Sequence, residues 1–120
     1  MNALKVLPAR MRQRSRSTEE IIMPIDHAVR AIDILASSGW ALRGWEGLIV
    51  RQNGSEERPV EFQRELGIEQ KDYEPWDDFV RRSALLSRTS IMEAYNTWTL
   101  RPDAGGAQMW FCLQAEREAE

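Results

Sequence analysis

Residues 38–51 read SGWALRGWEGLIVR, and this stretch decides the fold. It predicts a β-strand from Trp40 to Val50, because aromatic and β-branched residues are typical of strands. Gly44 and Gly47 lie inside that strand, where glycine weakens the pairing and often marks a bulge. The pattern therefore predicts a strand whose regular pairing is interrupted.

The order of the side chains gives a second reason to expect an interruption. Strict alternation would place Glu46 on an apolar face with Leu42 and Leu48, and Trp45 on the opposite face beside Arg43. Burying a carboxylate without a partner is costly. We expect a bulge at one of the glycines that reorients Trp45 and Glu46 and leaves Glu46 bonded locally or to an arginine. A regular strand with Glu46 exposed and unpaired would instead favour a partner-binding role.

Two helices flank this strand in the sequence. Apolar residues recur at spacings of three and four from Pro24 to Ser38, which predicts a helix that ends at Gly39. The same period begins again near Pro75, with acids in the first turn where they complement the helix dipole. The segment SRTS, residues 87–90, is a poor helix interior, and we expect a kink or break there.

The end of the chain has the composition of a β-hairpin. NTWTLR, residues 96–101, is rich in strand-forming residues, and PDAGG, residues 102–106, is typical of a turn. AQMWFCLQA, residues 107–115, alternates apolar and polar residues, as a half-buried strand does. A short strand over residues 58–62 and a polar loop over 63–74 complete the prediction.

These elements predict a single α+β domain. We expect a small antiparallel sheet of three to five strands, two main helices packed on one face, and the C-terminal hairpin. Residues 18–115 form the domain, residues 1–17 a basic and mobile arm, and residues 116–120 a solvated tail.

Charge is distributed unevenly along the chain. Residues 1–17 hold one lysine, four arginines and no acid, whereas residues 46–78 hold ten acids and four bases. An acidic body argues against a nucleic-acid-binding domain, since phosphate contacts require cations. We expect at most weak nucleic-acid contact through the arm. No apolar run is long enough for a signal peptide or a membrane span, and these features favour the cytoplasm.

Residues suited to catalysis are scarce. Cys112 is the only cysteine and His27 the only histidine, which excludes an internal disulfide and a histidine-based metal site. DYEPWDD, residues 72–78, lacks the glycine and the spacing of a calcium loop. We predict no cofactor, no metal, no catalytic residue and no enzymatic activity.

Two motifs resemble small immunity proteins of bacterial polymorphic toxin systems, in particular the family numbered forty. The resemblance covers about residues 25–90 and rests on GWEG, residues 44–47, and on a set of residues in YEPWDDFVRRS: Trp76, Phe79, Val80, Arg82 and Ser83. It implies a cytoplasmic protein that binds and inhibits a cognate toxin domain.

Many toxin domains are basic nucleases, and an acidic surface would attract and cover such a domain. Under this resemblance we expect the partner to contact acids of the 46–78 block, with Tyr73, Trp45 and Trp76 as aromatic anchors. The predicted partner-binding residues are Trp45, Glu46, Glu65, Glu69, Asp72, Tyr73 and Glu74.

Two alternatives stay open on the sequence alone. One is a small ligand-binding domain or enzyme that uses the sheet face near Glu46 and Arg43. The other is an interaction subunit that forms a homodimer through its edge strands.

Overall fold

The computed structural model describes residues 2–119. Two main helices and a short one that precedes the sheet accompany five strands in this part of the chain. The helices are α1 (Ala9–Arg14), α2 (Ile25–Ser37) and α3 (Trp76–Thr99), and the strands are β1 (Ile21–Pro24), β2 (Ala41–Val50), β3 (Glu56–Glu57), β4 (Gln63–Glu65) and β5 (Gln108–Glu116). This arrangement confirms the predicted α+β class.

The five strands within residues 2–119 form one antiparallel sheet. Its order is β1-β5-β2-β3, and β4 also pairs with β2. The strand β5, although it comes last in the chain, lies between β1 and β2. The long strand β2 is therefore paired along one side with β5 and along the other with β3 and β4.

The helices α2 and α3 pack on the same face of the sheet, as expected. Their buried side chains meet those of the sheet in one main core, which includes Ile32 and Leu35 of α2, Ile91 and Trp98 of α3, and Phe111 of β5. The apolar stripe of α2 predicted from its 3.6-residue period is the side that faces this core. The sheet thus has one face covered by helices.

The predicted bulge is present and lies at Arg43, immediately before Gly44. Leu42 pairs with Ala115 and Gly44 with Gln114, so the backbone of Arg43 is left without a pairing partner in β5. The extra residue places Leu42 and Trp45 together in the main core and turns Glu46 to the opposite face.

The glycines of β2 are required by close packing. A Cβ on Gly44 would lie 2.3 Å from the carbonyl oxygen of Arg64 in β4. A Cβ on Gly47 would lie 2.7 Å from the Cβ of Phe62. Both glycines therefore let residues 62–64 approach β2 closely, where β4 pairs with it.

The predicted C-terminal hairpin is wrong, because residues 96–99 continue the helix. No break occurs at residues 87–90, and α3 runs without interruption to Thr99. Ser83 and Ser87 are fully buried against the sheet, where small side chains allow a close approach. The Ser83 hydroxyl accepts a hydrogen bond from the Leu42 amide at 2.9 Å. Strand β5 has its partners in β1 and β2.

The segment over residues 2–17 differs from the mobile arm that we predicted. Leu4 and Leu7 are buried in the main core, and α1 follows them. The amide of Arg16 donates to the carbonyl of Ile22, and the amide of Ile22 donates to the Ser15 hydroxyl, both at 3.0 Å. These bonds occupy the outer edge of β1. The exposed arginines of this segment are attached to the domain.

Smaller differences occur between β2 and α3 and at the C-terminus. A 3₁₀ turn, Val60–Phe62, replaces the strand predicted over 58–62, and the predicted loop over 63–74 begins with β4. The predicted tail begins inside β5, which ends at Glu116, and residue 120 of that tail lies outside the described residues.

Candidate functional site

Trp45 is a core residue and does not form the partner anchor that we predicted. It is 2% exposed, and its indole N–H donates to the Ser90 hydroxyl at 2.6 Å. Its ring meets Phe111 edge to face, with 5.5 Å between the ring centroids. The bulge at Arg43 causes this burial, because it turns Trp45 toward the helices.

Glu46 has the arginine partner expected for a structural role. Its carboxylate lies 3.2 Å from the guanidinium of Arg58, on the sheet face opposite the helices. Arg43 lies 3.6 Å from Glu116, so Glu46 and Arg43 do not form the polar pair that an active site on the sheet face would need. Both predicted residues are engaged, each with a different partner.

The other predicted acids lie in the segment that runs from Glu65, the last residue of β4, to the start of α3. We call residues 65–74 the acidic loop. Glu65, Glu69 and Asp72 are exposed, and their carboxylates have no ionic partner within residues 2–119. Tyr73 is fully exposed at the tip, with a φ of 65° that side-chain-bearing residues rarely adopt. Four of the seven predicted residues are therefore exposed along this one segment of the chain.

Glu74 holds this loop to helix α3. Its carboxylate accepts hydrogen bonds from two guanidinium nitrogens of Arg82, at 2.8 and 3.1 Å, and one from the Lys71 amide at 3.0 Å. The same guanidinium donates to the Glu69 carbonyl at 2.8 Å. We call Glu74 and Arg82 the latch, since together they join the loop to the helix.

The latch predicts a specific pH dependence. Hydrogen bonding by Arg82, together with the Lys71 amide, lowers the pKa of Glu74 from 4.5 to about 2. Because the pKa of Glu74 is lower in the folded loop than in the unfolded chain, the ionised carboxylate stabilises the loop fully at pH values above about 4.5. This stabilisation is lost as the pH falls from about 4.5 toward 2. We expect the Lys71 amide proton in an NMR titration to report an inflection near pH 2.

The variant Arg82→Ala provides the control for this titration. It removes the guanidinium that stabilises the Glu74 carboxylate, so the inflection should move up toward the ordinary carboxyl range. An inflection at the ordinary value in the unmodified protein would show that the latch is not formed.

A groove of about 850 Å³ borders the acidic loop. The loop forms one wall, and residues 114–119 at the end of β5 form the other. Ile68 and Trp76 are partly exposed within it. The Trp76 indole N–H donates to the Gly39 carbonyl at 2.7 Å, which fixes the ring in place. Trp76, which we predicted as an anchor, is thus accessible from this groove.

Sequence reasoning missed the residues that organise this surface. Arg82 and Arg58 each bind an acid eight or more positions away, and Glu116 and Glu118 line the groove from the far end of the chain. No spacing rule connects such positions. The only signal was composition: many arginines and acids are available to pair.

The single thiol and the single imidazole each lie beside one carboxylate. The Cys112 thiol lies 3.4 Å from a carboxylate oxygen of Glu20, and burial raises its pKa to about 12. It therefore stays protonated near neutral pH. His27 lies beside Asp26, with 3.2 Å between Nδ1 and the carboxylate. Over residues 2–119, no three His, Cys, Asp or Glu side chains are grouped so as to hold a metal ion.

The comparisons with known proteins give no relative. Neither the known protein families, nor the curated proteins, nor the solved structures contain a match to this chain. A separate search for membrane spans finds that no helix within residues 2–119 has the length and apolar character to cross a bilayer.

Proposed function

We propose that this chain is a non-enzymatic binding protein of the cytoplasm that inhibits a cationic toxin domain, such as a nuclease, through its acidic loop. One observation carries the proposal: Glu65, Glu69 and Asp72 are exposed without ionic partners within residues 2–119, in the same loop as the fully exposed Tyr73. Unpaired carboxylates attract a cationic partner over a distance, and an exposed aromatic ring is typical of an interface anchor.

The latch adds a second element of support. Binding costs less when the contacting loop is already ordered, because little conformational entropy is then lost. Glu74 and Arg82 fix the base of the acidic loop before any partner arrives. Glu74 thus serves the interface by shaping the loop, while the three unpaired acids and Tyr73 contact the partner.

The two alternatives receive less support from the same geometry. The enzyme alternative needs Glu46 and Arg43 together, and each of them pairs elsewhere. The homodimer alternative needs a free sheet edge, and residues 15 and 16 occupy the edge of β1. At the other edge β3 has two residues and β4 three, which offers little for strand addition.

The proposal predicts a toxin-like protein encoded immediately upstream of this one, and its absence would reject the proposal. The test uses that protein. We expect the two proteins to form a complex whose association rate falls as salt is added, since exposed charges are screened. The double charge reversal Glu69→Lys/Asp72→Lys should lower that rate about tenfold or more. Association kinetics measured at low and high salt would show both effects.

The matched control is Glu19→Lys/Glu93→Lys. These two acids are exposed, and within residues 2–119 they too have no ionic partner. The control changes the net charge equally but alters other parts of the surface, so its association rate should stay within about twofold. Equal loss in both variants, or no inhibition by the unmodified protein, would reject the proposal.

A further inference from the structure

The groove beside the acidic loop combines an apolar floor with a charged rim. Its floor exposes Ile68 and Trp76, beneath which Phe79 is buried. Its rim carries Glu65 and Glu69 on the loop side and Glu118 on the opposite side. Its volume of about 850 Å³ lies in the range of sites that enclose several side chains.

The charges on the rim are not balanced within the protein. The guanidinium of Arg43 lies 3.6 Å from the carboxylate of Glu116, and the guanidinium of Arg117 lies 5.4 Å from the centroid of the Trp40 ring. Arg43 therefore has an ionic partner, whereas Arg117 keeps its positive charge, so the lining of the groove holds four carboxylates and two guanidinium groups and is acidic overall. Glu65, Glu69 and Glu118 have no ionic partner within residues 2–119. Three carboxylates without ionic partners and a partly exposed aromatic ring, that of Trp76, thus line the groove.

We propose that this groove receives an extended segment of the partner protein that carries arginine or lysine side chains alternating with apolar ones. This inference rests on the proposed function and names the part of the partner that is bound. Cationic side chains have apolar stems, which would lie on Ile68 and Trp76 while their charged ends reach the rim. An arginine over the Trp76 ring would add a cation–π contact.

The chemistry of the groove selects this occupant over nucleic acid. Three unpaired carboxylates repel a phosphate backbone, whereas they attract guanidinium and ammonium groups. A hydrophilic cation alone would leave the floor uncovered. A segment with both kinds of side chain pairs its cations with the carboxylates of the rim and covers the apolar floor with its apolar side chains.

The probe is a fluorescein-labelled peptide of alternating arginine and leucine, with blocked ends. We expect it to bind, and we expect the indole N–H resonance of Trp76 to shift in the NMR spectrum of the protein. The resonance of Trp110, whose ring packs under Arg16 on the sheet face opposite the helices, should stay in place. Trp76→Phe and Trp110→Phe assign the two signals.

Two control peptides separate the contributions of rim and floor. A peptide with glutamate in place of arginine should not bind, because the rim would repel it. A peptide with glycine in place of leucine should bind more weakly, because it cannot cover the floor. Equal binding by the arginine–leucine and arginine–glycine peptides would show that the apolar floor does not contribute to binding and that the groove is only a nonspecific acidic surface. That result would overturn the inference.

The rim is tested by Glu65→Gln/Glu118→Gln. Loss of two exposed ion pairs should raise the peptide Kd between about threefold and thirtyfold. The control variant Glu19→Gln/Glu93→Gln removes the same charge from surfaces outside the groove and should leave the Kd within about twofold. The same two variants are then compared for inhibition of the toxin-like neighbour.

The outcomes distinguish this inference from the proposed function. If the unmodified protein inhibits the toxin-like neighbour but the rim variant inhibits equally well, the inference is overturned and the proposed function stands. If the peptide binds in the groove and no toxin is inhibited, the proposed function is overturned while the ligand class of the groove is supported. Weaker peptide binding and weaker inhibition in the rim variant alone would support both.

Discussion

Replacing Gly44 with alanine is expected to lower the free energy of unfolding by about 3 kcal/mol, the upper end of the usual cost of overpacking. The added methyl group would lie 2.3 Å from the carbonyl oxygen of Arg64. Since this neighbour is backbone, it cannot rotate away as a side chain can. Either β4 separates from β2 or the bulge at Arg43 is distorted. Urea denaturation of Gly44→Ala measures the change.

Two other glycines provide a graded comparison. A methyl group on Gly47 in Gly47→Ala meets the terminal methyl of Met109 at 2.9 Å, which can move, and the Cβ of Phe62 at 2.7 Å, which the backbone fixes. We therefore expect an intermediate loss of about 2 kcal/mol. Gly105→Ala meets nothing within 4 Å and should change stability by less than about 0.5 kcal/mol. If the three variants were equally stable, the close approach of residues 62–64 to β2 would be incorrect.

Replacing Trp45 with alanine is expected to cost about 3–5 kcal/mol, because it empties the centre of the core. Trp45→Phe retains most of the ring but loses the hydrogen bond to Ser90, and we expect a smaller loss of about 1–2 kcal/mol. Denaturation of both variants measures the two losses. A double-mutant cycle with Ser90→Ala should show that the two residues are coupled.

Trp45 also distinguishes a core role from a role at the interface. If Trp45 anchored the partner, Trp45→Phe would keep its stability and weaken the complex. The burial of Trp45 predicts the reverse: reduced stability, with an unchanged affinity of the protein that remains folded. Under the proposed function, Tyr73→Ala should show the opposite pattern, because Tyr73 packs against nothing.

The features of the fold that depend on local pattern could be predicted from the sequence. The helix α2 follows from its apolar period, and the bulge follows from the conflict between Glu46 and its apolar neighbours. The end of α3 differs from the prediction because the helical period of the buried residues prevails over the strand propensity of residues 96–101. Ile91 and Trp98 lie seven positions apart, which continues the buried stripe of α3 into that segment.

The candidate site was less predictable, for two physical reasons. A bulge shifts the register by one residue, and its position within the strand decides which of Trp45 and Glu46 is buried. Sequence reasoning identified the bulge but did not fix its position. The pairing of charges depends on loops that meet in space, so nothing indicated that Glu74 would be bound by Arg82 while Glu65 and Glu69 remained unpaired.

The central position of β5 has a consequence for the order in which the protein forms during synthesis. Strands β1 and β2 do not contact each other in the sheet, and each is joined to the other only through residues 108–116. A nascent chain that lacks these residues leaves both strands with an open edge that favours self-association. The main core, to which β5 contributes Phe111, therefore closes only after most of the chain has left the ribosome. A ribosome stalled before residue 108 should hold a protease-sensitive chain, and one stalled on a linker added after residue 120, long enough to fill the exit tunnel, should hold a resistant one.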